Sequence, residues 1–343
     1  MNNFTGVLQE WYQKNKRDLP WRNTKQAYEI WLSEIILQQT QVVQGLSYYY
    51  KFIAAYPNVN VLASSSQEHV LKNWQGLGYY SRARNLHFAA KQIVESYGGV
   101  FPSTYTKIKA LKGVGDYTAA AIASFAFNEP YAVVDGNVYR VLSRLFAIKT
   151  PINSTKGKKE FAELAQSIID YKNPGSHNQA MMELGALICR PQKPQCEICP
   201  LQFNCEANKL ETTADFPVKL NKVKIKKRYL NYVIISDGKH ILVNQRKGKG
   251  IWQGLYDFPL IESKKEVNLV DCIDEITIKG ATFDMALKHI LTHQHLYVKF
   301  WIANVASFKG FEQYTVININ DLEDLPLPQL IVRYIEQSSF FKR

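Results

Sequence analysis

The sequence predicts a mainly α-helical region followed by a smaller α+β domain, and three observations carry that expectation. From residue 3 to about residue 188, apolar side chains recur at three- and four-residue spacing, as in Val7, Leu8, Trp11 and Tyr12, and again in Ile30, Trp31 and Ile35 with Glu34 on the same stripe. After Tyr229 the texture changes to short β-branched and aromatic runs, YLNYVIIS, HILVNQR, LYVKFWIANV and YTVINI, broken by turn residues such as Asp237 and Gly238. Between these regions periodicity fades and basic residues gather: Lys219, Lys222, Lys224, Lys226, Lys227 and Arg228. The expected organisation is a helical region over 1–208, a basic linker over 209–228 and an α+β domain over 229–343. Two helices are expected inside that last domain, near 268–275 and 328–337, the second with Pro328 at a first-turn position where its missing N–H costs little.

Length and composition agree with this division. The chain has 343 residues, which at about 150 per domain suits two cores. Apolar residues make up 46% and charged residues 21%, which excludes a disordered or fibrous chain. Forty-two Lys and Arg against 30 Asp and Glu leave a formal net charge of +12, so an extended polyanion is the first partner to consider. No stretch approaches the length of a membrane span, and the start, MNNFTGVLQEWYQKN, lacks the layout of a signal peptide. A soluble, intracellular, cytoplasmic protein is expected, without membrane contact.

Four of the five cysteines fall close together: Cys189, Cys196, Cys199 and Cys205 are separated by six, two and five residues. Four thiolates could therefore converge on one centre from a single loop, with Pro191, Pro194 and Pro200 breaking helix within it. Structural zinc usually takes two close pairs held apart by a longer spacer, whereas here one Cys-x-x-Cys is flanked by single cysteines, a spacing that favours a 4Fe-4S cluster. Cys272 lies apart and reads as a plain buried thiol.

The segment LKGVGDYTAAAIASFAF sets Gly113 and Gly115 immediately before a run of strong helix formers. Such glycines let backbone N–H groups approach a phosphate at a helix N-terminus, although a plain helix-helix turn uses glycine as well. Glu34 shares its helical stripe with Ile30, Trp31, Leu37 and Gln38, so its carboxyl is expected to face inward, where burial raises the pKa and permits general-acid chemistry. Asp135, in AVVDGNVYRVLSR, follows an apolar run and precedes a helix; it reads equally as an N-cap or as a second catalytic carboxylate. Paired carboxylates of this kind fit cleavage of a glycosidic bond.

Taken together, these segments resemble the helix-hairpin-helix DNA glycosylases of the endonuclease III superfamily. Within it, LPWR at 19–22, WLSEIILQQTQV at 31–42, GLGYYSRARNLH at 76–87, VVDGNVYRVLSR at 133–144 and NQAMMELGALIC at 178–189 resemble the adenine DNA glycosylases. The resemblance implies two helical lobes with an iron-sulfur loop over 189–205. It also implies monomeric action on double-stranded DNA, excising adenine mispaired with 8-oxoguanine or guanine after flipping it from the stack. Residue by residue, it implies that Glu34 protonates adenine N7 and that Asp135 stabilises the cationic sugar or captures it. Tyr117 stands where lyase-competent relatives carry a lysine, so the chain is expected to be monofunctional. Asn137 and Tyr117 match neighbours that position Asp135. Trp21, Arg22, Leu37 and Gln179 match the adenine pocket, Gln39 and Thr40 match residues near the mispaired purine, and Tyr79 matches an aromatic wedge. Gly113 and Gly115 match the DNA-gripping hairpin, and the four cysteines match the 4Fe-4S ligands.

The second domain resembles the Nudix-like module with which adenine DNA glycosylases recognise 8-oxoguanine, most clearly in WQGLYDFP at 252–259. No Glu-rich magnesium-binding pattern accompanies it, so pyrophosphate hydrolysis is not expected. The family's 8-oxoguanine contact, usually Phe-Ser-His, corresponds here to Leu291, Thr292 and His293. The alternatives are a bifunctional glycosylase and lyase, against which Tyr117 argues, and a non-catalytic DNA-binding module, which would have lost Glu34 or Asp135.

Overall fold

The computed structural model describes residues 4–220, 225–266 and 280–342. The helix expected near 268–275, Cys272, and the linker residues Lys222 and Lys224 lie outside the described residues. The helices are α1 (Phe4–Asn15), α2 (Ala27–Leu37), α3 (Val42–Ala55), α4 (Val59–Ser64), α5 (Gln67–Trp74), α6 (Ser81–Tyr97), α7 (Tyr105–Lys109), α8 (Asp116–Phe127), α9 (Gly136–Leu145), α10 (Thr155–Ser167), α11 (Pro174–Leu187), α12 (Glu206–Lys209) and α13 (Gln329–Gln337). The strands are β1 (Lys226–Ser236), β2 (His240–Gln245), β3 (Tyr256–Asp257), β4 (Leu260–Ser263), β5 (Thr282–Leu291), β6 (Gln294–Asn304) and β7 (Thr315–Asn318). None of the described helices is long and apolar enough to cross a membrane.

Packing divides the chain into two compact units, Met1–Ala63 with Phe88–Asn221, and Ser64–His87 with Lys222–Arg343. The first is helical. Leu8 and Tyr12 of α1 meet Val138, Val141, Leu142 and Leu145 of α9, Phe161 and Ala165 of α10, and Ala180, Met181 and Leu184 of α11. The helix α2 is buried almost all round, from Ala27 and from Ile30 through Ile36, because it lies against α8, whose inner surface is the alanine run 119–121 and Ala123. Small side chains let two helix axes approach closely, which is why so apolar a helix carries no clean amphipathic stripe. Gly185 of α11 has the same purpose: a Cβ there would lie 2.6 Å from the Asn137 Cβ, so glycine is what lets α11 press against the start of α9.

The second unit is built on a sheet of order β3-β2-β1-β6-β5, with β4 also paired to β1 and β7 to β2. Strands β1 and β6 run parallel in continuous register from Lys226 opposite Gln294 to Ser236 opposite Asn304. Alternation places Val233, Ile235, Trp301 and Ala303 on one face with Leu242 and Ile261. The opposite face holds Phe300, whose ring stacks on Tyr334 of α13 at 3.8 Å between centroids. Covered on both faces, β1 is buried without alternation from Leu230 to Ser236, and YLNYVIIS is accordingly apolar except at Asn231 and Ser236.

Two boundaries differ from the sequence expectation. Much of the segment read as a linker is structured: the Val218 carbonyl accepts from Ile152 N–H at 3.0 Å, Arg144 reaches the Thr213 carbonyl at 2.9 Å, and Lys226, Lys227 and Arg228 already belong to β1. Residues 64–87 pack with the carboxy-terminal residues rather than with the helices around them in sequence. Arg84 Nη1 donates to the Gln253 carbonyl at 2.7 Å, the Leu327 N–H donates to Gln75 Oε1 at 3.0 Å, and Leu71 closes on Gly254. Helical periodicity identifies an apolar face and not the partner that covers it.

Candidate active site

Glu34 stands near the end of α2 with 6% of its surface exposed and faces a cavity of about 560 Å3, a volume in the range of small-molecule sites. Burial pushes its carboxyl up to about 7; a hydrogen bond from the Tyr117 hydroxyl pulls the other way, as does the Arg22 cation, while the nearby negative charge of Asp135 pushes it further up. Asp135, Tyr117, Asn137, Trp21, Arg22, Leu37, Gln39, Thr40 and Gln179 all line this cavity. They are brought together from α2, α8, α9, α11 and the turn that follows Leu19.

Asp135 is the N-cap of α9 and also a cavity residue, so the two sequence readings of it are compatible. Its Oδ1 accepts from Val138 N–H at 2.7 Å, satisfying an orphan donor of the helix, and its Oδ2 accepts from Asn137 Nδ2 at 2.8 Å. Burial pushes this carboxyl above its ordinary value against those two donors. Asn137 is held in turn: Arg140 Nη2 donates to Asn137 Oδ1 at 2.8 Å and to the Gly185 carbonyl at 2.8 Å, while Arg140 Nε donates to the Cys189 carbonyl at 2.6 Å.

Sequence reasoning missed part of the cavity wall. Glu183 is fully buried, yet the combined donors of Arg17 and Arg22 outweigh its desolvation and hold it down to about 2. Arg17 donates from Nε at 2.8 Å and Nη2 at 2.6 Å, and Arg22 from Nη1 at 3.0 Å and Nη2 at 2.8 Å. Tyr12 donates to Gln179 Oε1 at 2.7 Å. Glu183 follows Gln179 by one helical turn, and that i, i+4 spacing is the signal that could have marked it.

Gly113, at φ +80°, forms the turn between α7 and α8, and Gly115 is the N-cap residue of α8. Both are exposed, with the α8 N-terminus open beside them. In the second unit, Tyr79 is 45% exposed and adopts a left-handed backbone at φ +47°, a conformation that costs energy for a non-glycine residue. Its hydroxyl lies 2.5 Å from Thr292 Oγ1. Leu291 ends β5 and Thr292 and His293 form the turn to β6, and the three share with Tyr79 a cavity of about 370 Å3 also lined by Arg84 and Trp252. His289, one helical turn before His293 in sequence, instead rests its ring on Trp252 at 5.9 Å.

The four cysteines line one small cavity with Arg144. Arg144 is buried and stitches the loop: Nη1 donates to Cys189 Sγ at 3.4 Å and to the Arg190 carbonyl at 2.7 Å, and its own carbonyl accepts from Cys205 Sγ at 3.4 Å. No three His, Cys, Asp or Glu residues among those described are arranged to hold a single metal ion.

A buried carboxyl and a helix-capping aspartate lining one cavity, with a two-glycine helical hairpin, define the class: helix-hairpin-helix base-excision DNA glycosylases. Residues 32–169 match the HhH-GPD superfamily of base excision DNA repair proteins, and residues 231–337 match the NUDIX domain. A solved thermostable thymine-DNA glycosylase superposes with a TM-score of 0.57 at 30% identity, covering 61% of this chain and 96% of that one. The adenine DNA glycosylase of Buchnera aphidicola subsp. Baizongia pistaciae is 34% identical over 344 residues, covering 98% of this chain and 97% of the relative. That of Homo sapiens is 46% identical over 213 residues, covering 60% of this chain and 39% of the relative. The chain belongs to the adenine DNA glycosylase family.

Proposed function

We propose that this chain is a monofunctional adenine DNA glycosylase that flips adenine from opposite 8-oxoguanine or guanine and hydrolyses its N-glycosidic bond, initiating base excision repair. One observation carries the reading: Glu34 and Asp135 line the same cavity, with Glu34 held near 7 by burial. A carboxylic acid at that pKa is partly protonated at neutral pH and delivers its proton to adenine N7, which turns the base into a leaving group. Asp135, held by Val138 N–H and Asn137, presents its negative charge to the oxocarbenium-like sugar as the bond breaks. Tyr117 offers a phenol hydrogen-bonded to Glu34 and no amine, so a Schiff-base lyase step lacks its nucleophile. Arg22, Trp21, Leu37 and Gln179 receive the flipped base. Tyr79 enters the stack beside the partner purine, and Gln39, Thr40, Leu291, Thr292 and His293 contact that purine. Gln39 and Tyr79 both carry left-handed backbone at exposed positions, the kind of strain that functional sites retain.

The helical unit supplies the glycosylase part, and the sheet-containing unit, which includes residues 64–87 and whose first strand begins at Lys226, supplies 8-oxoguanine recognition. Cys189, Cys196, Cys199 and Cys205 are fit ligands for a 4Fe-4S cluster: all four line one cavity, and the Arg144 guanidinium beside Cys189 offsets thiolate charge. When bound, such a cluster supplies a covalent cross-link that fixes the loop.

The test is single-turnover excision on end-labelled duplexes carrying adenine opposite 8-oxoguanine, guanine or thymine, worked up with and without alkali. Cleavage at adenine only after alkali, and only opposite the two guanines, is the expected result. Strand cleavage without alkali would establish a lyase, and binding without cleavage would reduce the chain to a DNA-binding module.

A further inference from the structure

We propose that Tyr12 is a positioning residue that sets which end of the Gln179 amide faces the cavity, and so whether the pocket offers the extruded base a donor or an acceptor. The inference rests on the reading of that cavity as the adenine pocket. Tyr12 belongs to α1, is buried in the helical core, and donates to Gln179 Oε1 at 2.7 Å across 167 residues of sequence. The direction of that bond follows from its surroundings. The Arg22 guanidinium lies 5.8 Å from the Tyr12 ring centroid, and a guanidinium carries donors and no acceptor. The neighbouring Glu183 carboxylate takes its hydrogen bonds from Arg17 and Arg22. The phenol proton is therefore satisfied at Gln179 Oε1, and a buried hydroxyl does not leave its proton without a partner.

Gln179 lines the cavity, and with Oε1 engaged by Tyr12 the Nε2 end, with its two protons, is the end of the amide left to serve it. Ring nitrogens N1 and N3 of adenine are acceptors and its amino group is a donor, so this end of the amide suits a ring nitrogen. Without the tyrosine hydroxyl, the two ends of the amide interchange by rotation about one soft torsion, and the pocket loses its preference for one polarity.

The experiment is single-turnover excision of adenine, 1-deazaadenine and 3-deazaadenine, each opposite 8-oxoguanine, by the full chain and by Tyr12→Phe. Comparing the variant with the parent on each base cancels the altered basicity of the analogue. Tyr12→Phe is expected to slow adenine excision about tenfold, the scale of one lost buried hydrogen bond, and to have almost no effect on whichever deaza base lacks the recognised nitrogen. Gln179→Glu keeps the bond from Tyr12 but makes the cavity-facing end an acceptor, so it is expected to show the same dependence on the analogue even if Tyr12→Phe folds poorly. An equal penalty on all three bases, or none on any, would overturn the inference while leaving the glycosylase reading intact. A parent protein that excises no adenine would overturn that reading and the inference with it.

Discussion

Arg140 Nε lies 2.6 Å from the Cys189 carbonyl while Nη2 of the same guanidinium lies 2.8 Å from Asn137 Oδ1, so one side chain joins the cysteine loop to the amide that holds Asp135. Planar guanidinium geometry makes this a rigid bracket, because its fork of donors fixes two acceptors at once. The carboxylate at the proposed reaction centre is thereby tied to the cysteine loop.

Breaking the bracket should lower the rate more than the affinity. Asn137→Ala removes one of the two donors on Asp135, and Arg140→Gln frees Asn137; each is expected to slow single-turnover excision by roughly tenfold to a hundredfold, the range for an unsatisfied buried group. Affinity for the mispaired duplex, measured by fluorescence anisotropy, should change much less. A variant that loses binding and keeps its rate would place Arg140 in DNA contact.

The pH profile follows from Glu34. Its protonated form is the active one and its pKa is near 7, so excision should fall about tenfold per unit above that pH, and fall again at lower pH as Asp135, whose pKa burial raises, takes up a proton and loses the charge it presents to the sugar. The same shift bears on stability. A carboxyl whose folded pKa lies above its unfolded value makes a contribution fully present at pH below about 4.5 and lost as pH rises to about 7, because charging it in the interior opposes folding.

Glu34→Gln should therefore abolish excision and stabilise the fold. The neutral amide removes a buried charge that costs about 3 kcal/mol above pH 7, and the gain should vanish near pH 4. Thermal denaturation at pH 8 and pH 4 tests this; equal melting temperatures of parent and variant at pH 8 would refute it. Binding to the mispair should survive.

Cys199→Ser is expected to bleach the brown colour of the purified protein and to reduce stability or DNA binding rather than the chemical step alone. Iron and sulfide analysis, with a melting curve, reads both effects. A colourless parent protein containing zinc would replace the cluster assignment.

Thr292→Val removes the hydroxyl that meets Tyr79 at 2.5 Å while preserving shape. It should lower the preference for adenine opposite 8-oxoguanine over adenine opposite guanine by roughly five- to tenfold, the scale of one hydrogen bond. Binding of either duplex should also weaken steeply with salt, because phosphate contacts release counterions.

Much of this molecule is readable from local pattern. Cysteine spacing, the Gly113 turn before a helix former run, the helix start after Asp135 and the β-branched runs after Tyr229 are each encoded within a few residues, where backbone sterics and hydrogen-bond capacity decide. Other readings failed because locality ran out. Lys226, Lys227 and Arg228 look like solvated linker, yet β6 offers their backbone a parallel partner almost 70 residues away. The helix α5 presents an ordinary amphipathic face, and nothing in its period names the partner that covers Leu71.

The sequence alone determined which chemistry-bearing side chains this protein possesses: the two carboxyls, the hairpin glycines, four thiols at ligand spacing and a tyrosine in place of a lysine. Tertiary structure decided what those groups can do. Glu34 becomes an acid with a pKa near 7 only once the fold buries it, Glu183 and the two arginines neutralise one another across more than 160 residues, and Gln179 has a defined polarity only because Tyr12 stands behind it. Propensity and capping act over a few residues, whereas desolvation and the pairing of buried charges depend on which distant surfaces the folded chain brings into contact.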